Sequence, residues 1–373
     1  MRARGREADL ANRDDGRLTR SPEMSARLGA PGRVVPWLSA IVAFAAIHAL
    51  FAALQPWFFR VASYDGQWTV AHVPTDLGGR RPDIVFLGSS RVVTGLDPAI
   101  VERDVAAATG ATVRALNLGV TGATADTSRL VLKNLIGDDM RPNVAVYGIY
   151  ELEMLVAPNT HARQNLPYLS SIERLDDFID YRNESWRRRA WFLTERALPF
   201  ERDRRLVRDA LEIVFTPASG HDLYETDAPP PGERGFHRVP VGVPDPDPER
   251  ARREYAGALR RPRLSDTAAR QLERLIELAR ERAIDIVLVD LPVTARHRAF
   301  WARPRDLAAY LARVREIAER ERVPLLDLYE NPDEMVPERG FTDTHHLNEL
   351  GAAIASHAVA ERLLVPRLRP GAP

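Results

Sequence analysis

The sequence predicts an α/β protein: a three-layer α/β/α sandwich on a five-stranded parallel sheet, with one transmembrane helix ahead of it and a helical insert within it. Three observations predict this. Short apolar runs alternate with amphipathic stretches, the pattern of a parallel sheet flanked by helices. Val34–Leu54 contains no Asp, Glu, Lys or Arg, and about 20 apolar residues suffice to cross a bilayer as a helix. Residues 158–261 have a different texture and are too many for an ordinary connection in such a sheet.

Composition bounds the reading. The chain has 373 residues, is 45% hydrophobic and 28% charged, and carries no formal net charge, so it can bury a sizeable core and presents no bulk charge that would select nucleic acid. It has no cysteine, which excludes disulfides, thiolate nucleophiles, zinc fingers and iron–sulfur clusters. Any metal would need His and carboxylate ligands. Lys133 is the only lysine, a bias we read as codon composition, not phosphate recognition.

The elements follow in order. Residues 1–33 are rich in Arg and Pro, whereas Arg60 is the only charge among Trp57, Phe58 and Phe59 after the apolar run. Positive-inside bias predicts a cytoplasmic tail (1–33), a span (34–54) and an extracytoplasmic remainder joined by a linker (55–80). The run is longer than the apolar region of a cleaved signal peptide, so an uncleaved anchor fits better. Its lack of a polar face argues against a buried helix of a soluble domain. His48 is the only ionisable group in the span and has no second such group with which to act.

Strands are predicted at Ile84–Leu87, Thr112–Leu118, Val144–Tyr147, Ile286–Val289 and Pro324–Leu328, each short and mostly apolar, as strands buried on both faces should be. Helices are predicted to begin near Pro98 with Asp97 as cap, near Ala125, near Ser265, near Pro304 and near Asn348. These make two halves of one domain, 81–157 and 262–366. The insert between them is predicted to be helical around Ser171–Phe215. Its Pro-rich stretch, APPPGERGFHRVPVGVPDPDPER, is expected to be irregular or mobile because it has almost no periodic apolar face. Arg187, Arg188, Arg189 and Trp191 suit either an anionic polymer or a solvated helix face.

The chemistry gathers at the carboxyl ends of the strands, where open parallel sheets place ligands. FLGSSR ends the first strand with Gly88, Ser89, Ser90 and Arg91; near the other end of the chain DTHHLNELG sets Asp343 three residues before His346, with Asn348 as a helix cap. That spacing lets a tight turn bring the carboxylate onto one imidazole nitrogen while the other faces a serine as general base. Read as a metal cluster, Asp343, His345 and His346 lack a further converging pattern, and no metal is expected. Asp290 and His297 fall where a substrate-lining loop belongs, though a polar loop residue is more often simply solvated.

These residues resemble the SGNH, or GDSL-type, hydrolase superfamily. The resemblance implies a flavodoxin-like version of the predicted sandwich, with Ser90 of Gly88-Ser89-Ser90 as nucleophile, and Asp343 and His346 as the acid and base of the final block with Asn348 and Gly351. It implies an oxyanion hole using the amides of Ser90 and of Gly122 in NLGVTGAT. The third block departs from the pattern: Gly148-Ile149-Tyr150-Glu151 stands where G-x-N-D is expected, so the side-chain amide donor is missing. Tyr150 either supplies a hydroxyl in its place or packs the insert on the sheet. Arg91 and Glu151 are candidate substrate-binding residues; Arg91 could otherwise lie on the following helix, and Glu151 and Glu153 could be capping or solvated carboxylates.

An anchor, the GSSR form and a long insert are similar to the membrane-bound cell-envelope branch of that superfamily, including the D-alanyl transfer protein of teichoic acids and proteins of exopolysaccharide acetylation. The expected function is an esterase or O-acyltransferase acting on acylated envelope glycan, needing no cofactor, with a membrane-bound acyltransferase as a candidate partner. The alternative is a catalytically impaired module serving as a scaffold or glycan-binding partner for such an acyltransferase.

Overall fold

All five predicted strands form, and all run parallel. The computed structural model describes residues 34–61, 80–136, 140–155, 234–243 and 249–369, with six isolated positions between 190 and 211. The expected cytoplasmic tail, most of the linker and most of the insert, including Arg187–Arg189 and Trp191, lie outside the described residues.

Helix α1 (Val34–Val61) contains one stretch, Pro36–Leu54, long and apolar enough to cross a membrane. At 1.5 Å per residue these 19 residues extend about 28 Å, close to the thickness of a bilayer's hydrocarbon core. Trp37, Leu38, Ile41, Phe44 and Ile47 are all exposed along it. His48 turns its Nδ1 to the Phe44 carbonyl, 3.0 Å away, so the one ionisable side chain of the span bonds along its own helix.

Among the described residues, the strands and further α-helices, in chain order, are β1 (Ile84–Gly88), α2 (Ser90–Gly95), α3 (Pro98–Thr109), β2 (Ala115–Asn117), α4 (Ala125–Leu130), β3 (Val144–Ile149), α5 (Arg250–Arg260), α6 (Asp266–Glu281), β4 (Asp285–Asp290), α7 (Ala295–Arg298), α8 (Pro304–Arg320), β5 (Leu325–Asp327), α9 (Glu349–Val359) and α10 (Val365–Leu368). The sheet order is β2–β1–β3–β4–β5. The chain reverses its direction of winding between β1 and β3, and this switch point is where such sheets open a ligand crevice. Gly88 pairs with Gly148 and Ile149 with Asp290, so β1, β3 and β4 end close together.

Strand residues alternate between two cores. Val85, Leu87, Ala145, Tyr147, Ile286 and Leu288 point to one, which α6 and α8 cover with Leu272, Ile276, Tyr310 and Val314. Ile84, Phe86, Val144, Val146, Val287 and Val289 point to the other, covered by Val92, Val101, Val105, Ala355 and Val359. Both faces of every central strand are therefore dry, which explains why the strands read as continuous apolar runs. Helix starts fall where capping chemistry places them: Asp97 accepts from the Ala99 amide at 2.8 Å with Pro98 following, Ser265 accepts from Ala268 at 3.2 Å, and Asn348 accepts from Leu350 and Gly351.

Three features differ from expectation. Strand β2 is shorter than Thr112–Leu118, although Leu118 and Val120 still donate to the carbonyls of Phe86 and Gly88 beyond its end. Helix α5 falls within the span read as insert, yet it contributes Tyr255 and Leu259 to the core. Within the Pro-rich stretch, residues 234–243 are irregular, as composition predicts, but they are pinned. Arg234 and Val239 accept from the amides of Asn117 and Glu349, the His237 amide donates to Val93, and Phe236 is buried in the core. One aromatic residue without periodicity gives no pattern signal, so sequence reading could not anticipate this anchor.

Candidate active site

Ser89 and Ser90 take different roles because they stand on either side of a helix start. Ser89 is the N-cap of α2 and accepts from the Arg91 amide. Ser90, first residue of the helix and half-buried, places its Oγ 2.8 Å from His346 Nε2. The turn from β1 into α2 is tight. Gly88 has φ +144°, a conformation L side chains rarely adopt, and a Cβ there would meet Val92 at 2.6 Å and the Gly148 carbonyl at 2.7 Å.

His346 arrives on a turn that Asp343 organises. Asp343 Oδ1 accepts from the amides of His345 and His346, both at 2.7 Å, while Oδ2 lies 2.6 Å from His346 Nδ1. The Thr342 amide closes the turn on the His346 carbonyl. With Nδ1–H donated to Asp343, Nε2 is the acceptor for the Ser90 hydroxyl. Burial alone would raise the Asp343 carboxyl, but attraction to His346 and His345 outweighs it and holds the group far below the ordinary carboxylate range. An acid that stays ionised beside an imidazole favours the imidazolium formed when that ring accepts a proton. The structure thus brings Ser90, His346 and Asp343 into one hydrogen-bonded line.

Gly122 lies in the turn between β2 and α4, with φ +67°. The Ala123 amide closes that turn on Val120, and the Val120 amide hangs it on the Gly88 carbonyl, next to Ser89 and Ser90. Tyr150 follows β3 and is 6% exposed. Because Gly88 and Gly148 are partners, Ser90 and Tyr150 each stand two residues beyond the same rung of adjoining strands.

Glu153, read from sequence as a capping or solvated carboxylate, does cap the turn after β3, and it also joins these two loops. Glu153 is buried; its Oε2 accepts from the Ala125 amide at 3.0 Å and the Tyr147 hydroxyl at 2.5 Å, and its Oε1 accepts from the Tyr150 amide at 3.1 Å. Burial pushes this carboxyl up to about 7, against the opposing pull of those three donors. The only available signal was a glutamate three residues after Tyr150 at a strand end, a capping spacing. It is not solvated, and its oxygens are committed to the protein.

Arg91, Glu151, Asp290 and His297 form a single buried cluster, none more than 2% exposed. Arg91 lies 3.2 Å from Glu151 and 3.5 Å from Asp290, donates to the Leu291 carbonyl and rests over the Tyr329 ring. His297 Nε2 meets Glu151 at 2.5 Å, and Asp290 accepts from the Tyr310 hydroxyl at 2.6 Å. Burial opposes the Arg91 charge, yet the two carboxylates hold the guanidinium protonated. Burial likewise opposes ionisation of Glu151, but His297 and Arg91 prevail and lower it, whereas for Asp290 burial wins and the carboxyl is raised. Read from sequence as substrate-facing, Arg91 and Glu151 instead satisfy each other. Asp290 and His297 are neither solvated nor on an open loop.

Ligand atoms of Asp343, His345 and His346 lie within 4.8 Å of one another. As a metal donor set they fit poorly, because both Asp343 oxygens and both His346 nitrogens already serve the turn and the line to Ser90. His345 is buried and neutral: burial and the neighbouring His346 hold its imidazole well below the ordinary value. Its ring packs 4.0 Å from His346 and 4.6 Å from Tyr255.

No family model matches the chain, and no curated protein matches it in sequence. Among solved structures, a GDSL-like lipase from Bacteroides thetaiotaomicron is 12% identical over 80% of this chain and 100% of that one, with a TM-score of 0.35. A lipase/acylhydrolase from Enterococcus faecalis is 14% identical over 76% of this chain and 97% of the other, with a TM-score of 0.36. The α/β/α architecture of this chain is established by its own strand order and register.

Proposed function

We propose that this protein is a membrane-anchored serine esterase or O-acyltransferase of the SGNH type. In this reading the N-terminus is cytoplasmic, the catalytic domain extracytoplasmic, and the substrate an acylated glycan or polymer of the cell envelope. The observation that carries the proposal is the line from Ser90 Oγ to His346 Nε2 at 2.8 Å and from His346 Nδ1 to Asp343 at 2.6 Å. Ser90 Oγ attacks the ester carbonyl as its proton passes to His346 Nε2. The carbonyl π electrons move to oxygen, and the amides of Ser90 and Gly122 with the Tyr150 hydroxyl receive the oxyanion. Collapse breaks the ester C–O bond, the alcohol leaves with the proton from His346, and an acyl group remains on Ser90. Water or a sugar hydroxyl then gives its proton to His346, attacks the acyl carbon and frees the serine. Asp343 keeps the tautomer correct throughout.

The assembled line supports this reading over that of an impaired scaffold, which the missing third-block asparagine had suggested. Anchoring through α1 supports an envelope polymer as substrate, because it holds the domain near the membrane surface. The test is acetate release from aryl acetates and acetylated glycans by the full chain in detergent, beside Ser90→Ala and His346→Ala. Both variants should lose at least about 10³-fold in kcat. Turnover equal to wild type in folded Ser90→Ala would overturn the proposal, and product analysis with added sugar acceptors separates hydrolysis from transfer.

A further inference from the structure

Behind the triad, a second set of contacts links the nucleophile's helix to the turn that carries the base. Thr344 lies inside that turn, between Asp343 and His345, and α7 with its N-cap Thr294 grips it at two points. The Thr344 carbonyl accepts from both the amide and the hydroxyl of Thr294, at 3.1 and 2.9 Å. The Thr344 hydroxyl lies 3.1 Å from Nδ1 of His297, whose amide is in turn held by Thr294. On its far side the His297 ring meets Glu151, and Glu151 meets Arg91, the residue next to Ser90.

These contacts run without a break from Thr344 to Arg91. Glu151 is ionised, so His297 donates to it from Nε2, and the His297 Nδ1 shares the next hydrogen bond with the Thr344 hydroxyl. The Thr344 hydroxyl also lies 3.3 Å from His345 Nδ1, itself 3.3 Å from Asp343 Oδ1. The sequence of bonds ends on the Arg91–Glu151 ion pair. His297 and Glu151 have no exposed surface, so neither can touch a substrate.

We propose that His297 and Thr344 are positioning residues: their hydrogen bond, anchored by Glu151 and Thr294, fixes the aim of His346 at Ser90. This rests on the reading of Ser90 and His346 as nucleophile and base. The catalytic turn is a loop, and loops hold geometry less well than sheets; a displacement of about 1 Å at a reacting pair can cost on the order of 10²-fold in rate. Gripping both the carbonyl and the hydroxyl of one turn residue removes its freedom to rotate.

The experiment compares Thr344→Val, which removes the hydroxyl and keeps the shape, with Thr344→Ser, which restores it, and with His297→Ala, all in the full chain in detergent. Two readouts are taken besides the thermal midpoint. One is kcat and KM for p-nitrophenyl acetate. The other is the far-downfield proton resonance of the His346 Nδ1–H bond to Asp343, assigned by its loss in His346→Ala, which needs no turnover. Thr344→Val and His297→Ala should lower kcat about 10- to 100-fold with KM within about twofold and shift or broaden the resonance; Thr344→Ser should restore both. A Thr344→Val protein that loses only thermal stability, with kcat and resonance unchanged, overturns the proposal. So does a resonance left unmoved in an enzyme without Ser90-dependent turnover. If turnover is absent but the resonance moves in Thr344→Val and returns in Thr344→Ser, the esterase reading fails and the positioning role stands.

Discussion

Val92 covers Gly148: a methyl group of this α2 valine sits where a side chain on Gly148 would begin, and the same valine covers Gly88. This contact seats α2, and therefore Ser90, on the ends of β1 and β3. Gly148→Ala should force the valine and its helix away from the sheet, destabilising the protein by about 1–3 kcal/mol and lowering kcat as Ser90 moves off His346. Val92→Ala in the same chain should recover part of both losses. Urea midpoints and ester turnover of the two variants check this, and independent, additive effects would show that the contact is not shared.

Asp343 is held ionised, so its replacement has a pH signature. Asp343→Asn keeps the size but reverses the hydrogen-bonding preference at His346 Nδ1, and kcat should fall about 10⁴-fold. The carboxyl lies below its ordinary value when folded; the stability it contributes is present above about pH 4 and fades as pH falls below that. Asp343→Asn should therefore be less stable than wild type at pH 7, and the gap in urea midpoint should narrow by pH 3. A gap that stays constant with pH would mean that the carboxylate charge contributes nothing to folding.

Sequence alone revealed what depends on periodicity and local chemistry. Strands buried on both faces appear as apolar runs, Asp97-Pro98, Ser265 and Asn348 announce helices by capping, and the Asp343–His346 turn follows from a spacing of three. What could not be read depends on distant partners. Arg91 and Glu151 look like ligands for substrate until strand pairing sets them beside each other 60 residues apart. His297 looks like a solvated loop residue until Glu151, two residues past β3, covers it. Phe236 has no amphipathic pattern around it, and only the fold supplies the core that it enters.

If Arg91 serves the cluster and not the substrate, its loss should appear in stability first. Arg91→Ala leaves Glu151 and Asp290 buried without their guanidinium, a cost of about 3–5 kcal/mol, and the variant should be largely unfolded or aggregated. Arg91→Lys keeps a charge but cannot span Glu151, Asp290 and the Leu291 carbonyl together; it should fold with a lowered urea midpoint and a KM within about twofold of wild type. A normal midpoint with KM raised tenfold would return Arg91 to the substrate site.

Glu153 should make stability fall as pH rises through neutrality. Its carboxyl is pushed up to about 7 by burial, above the ordinary glutamate value, so the folded protein binds this proton more tightly than the unfolded chain does. The favourable contribution is complete below about pH 4 and is lost as pH climbs to 7, a change on the order of 3 kcal/mol for this group alone. Glu153→Gln carries no titrating group there. The difference in unfolding free energy between wild type and Glu153→Gln should therefore shift in favour of the variant from pH 4.5 to pH 7, and level off above about pH 8. The same glutamate joins the Ala125 and Tyr150 amides, so Glu153→Ala should also lower kcat by loosening both loops around Ser90. Parallel pH–stability curves for wild type and Glu153→Gln would show that the three donors, and not burial, set the protonation of this carboxyl.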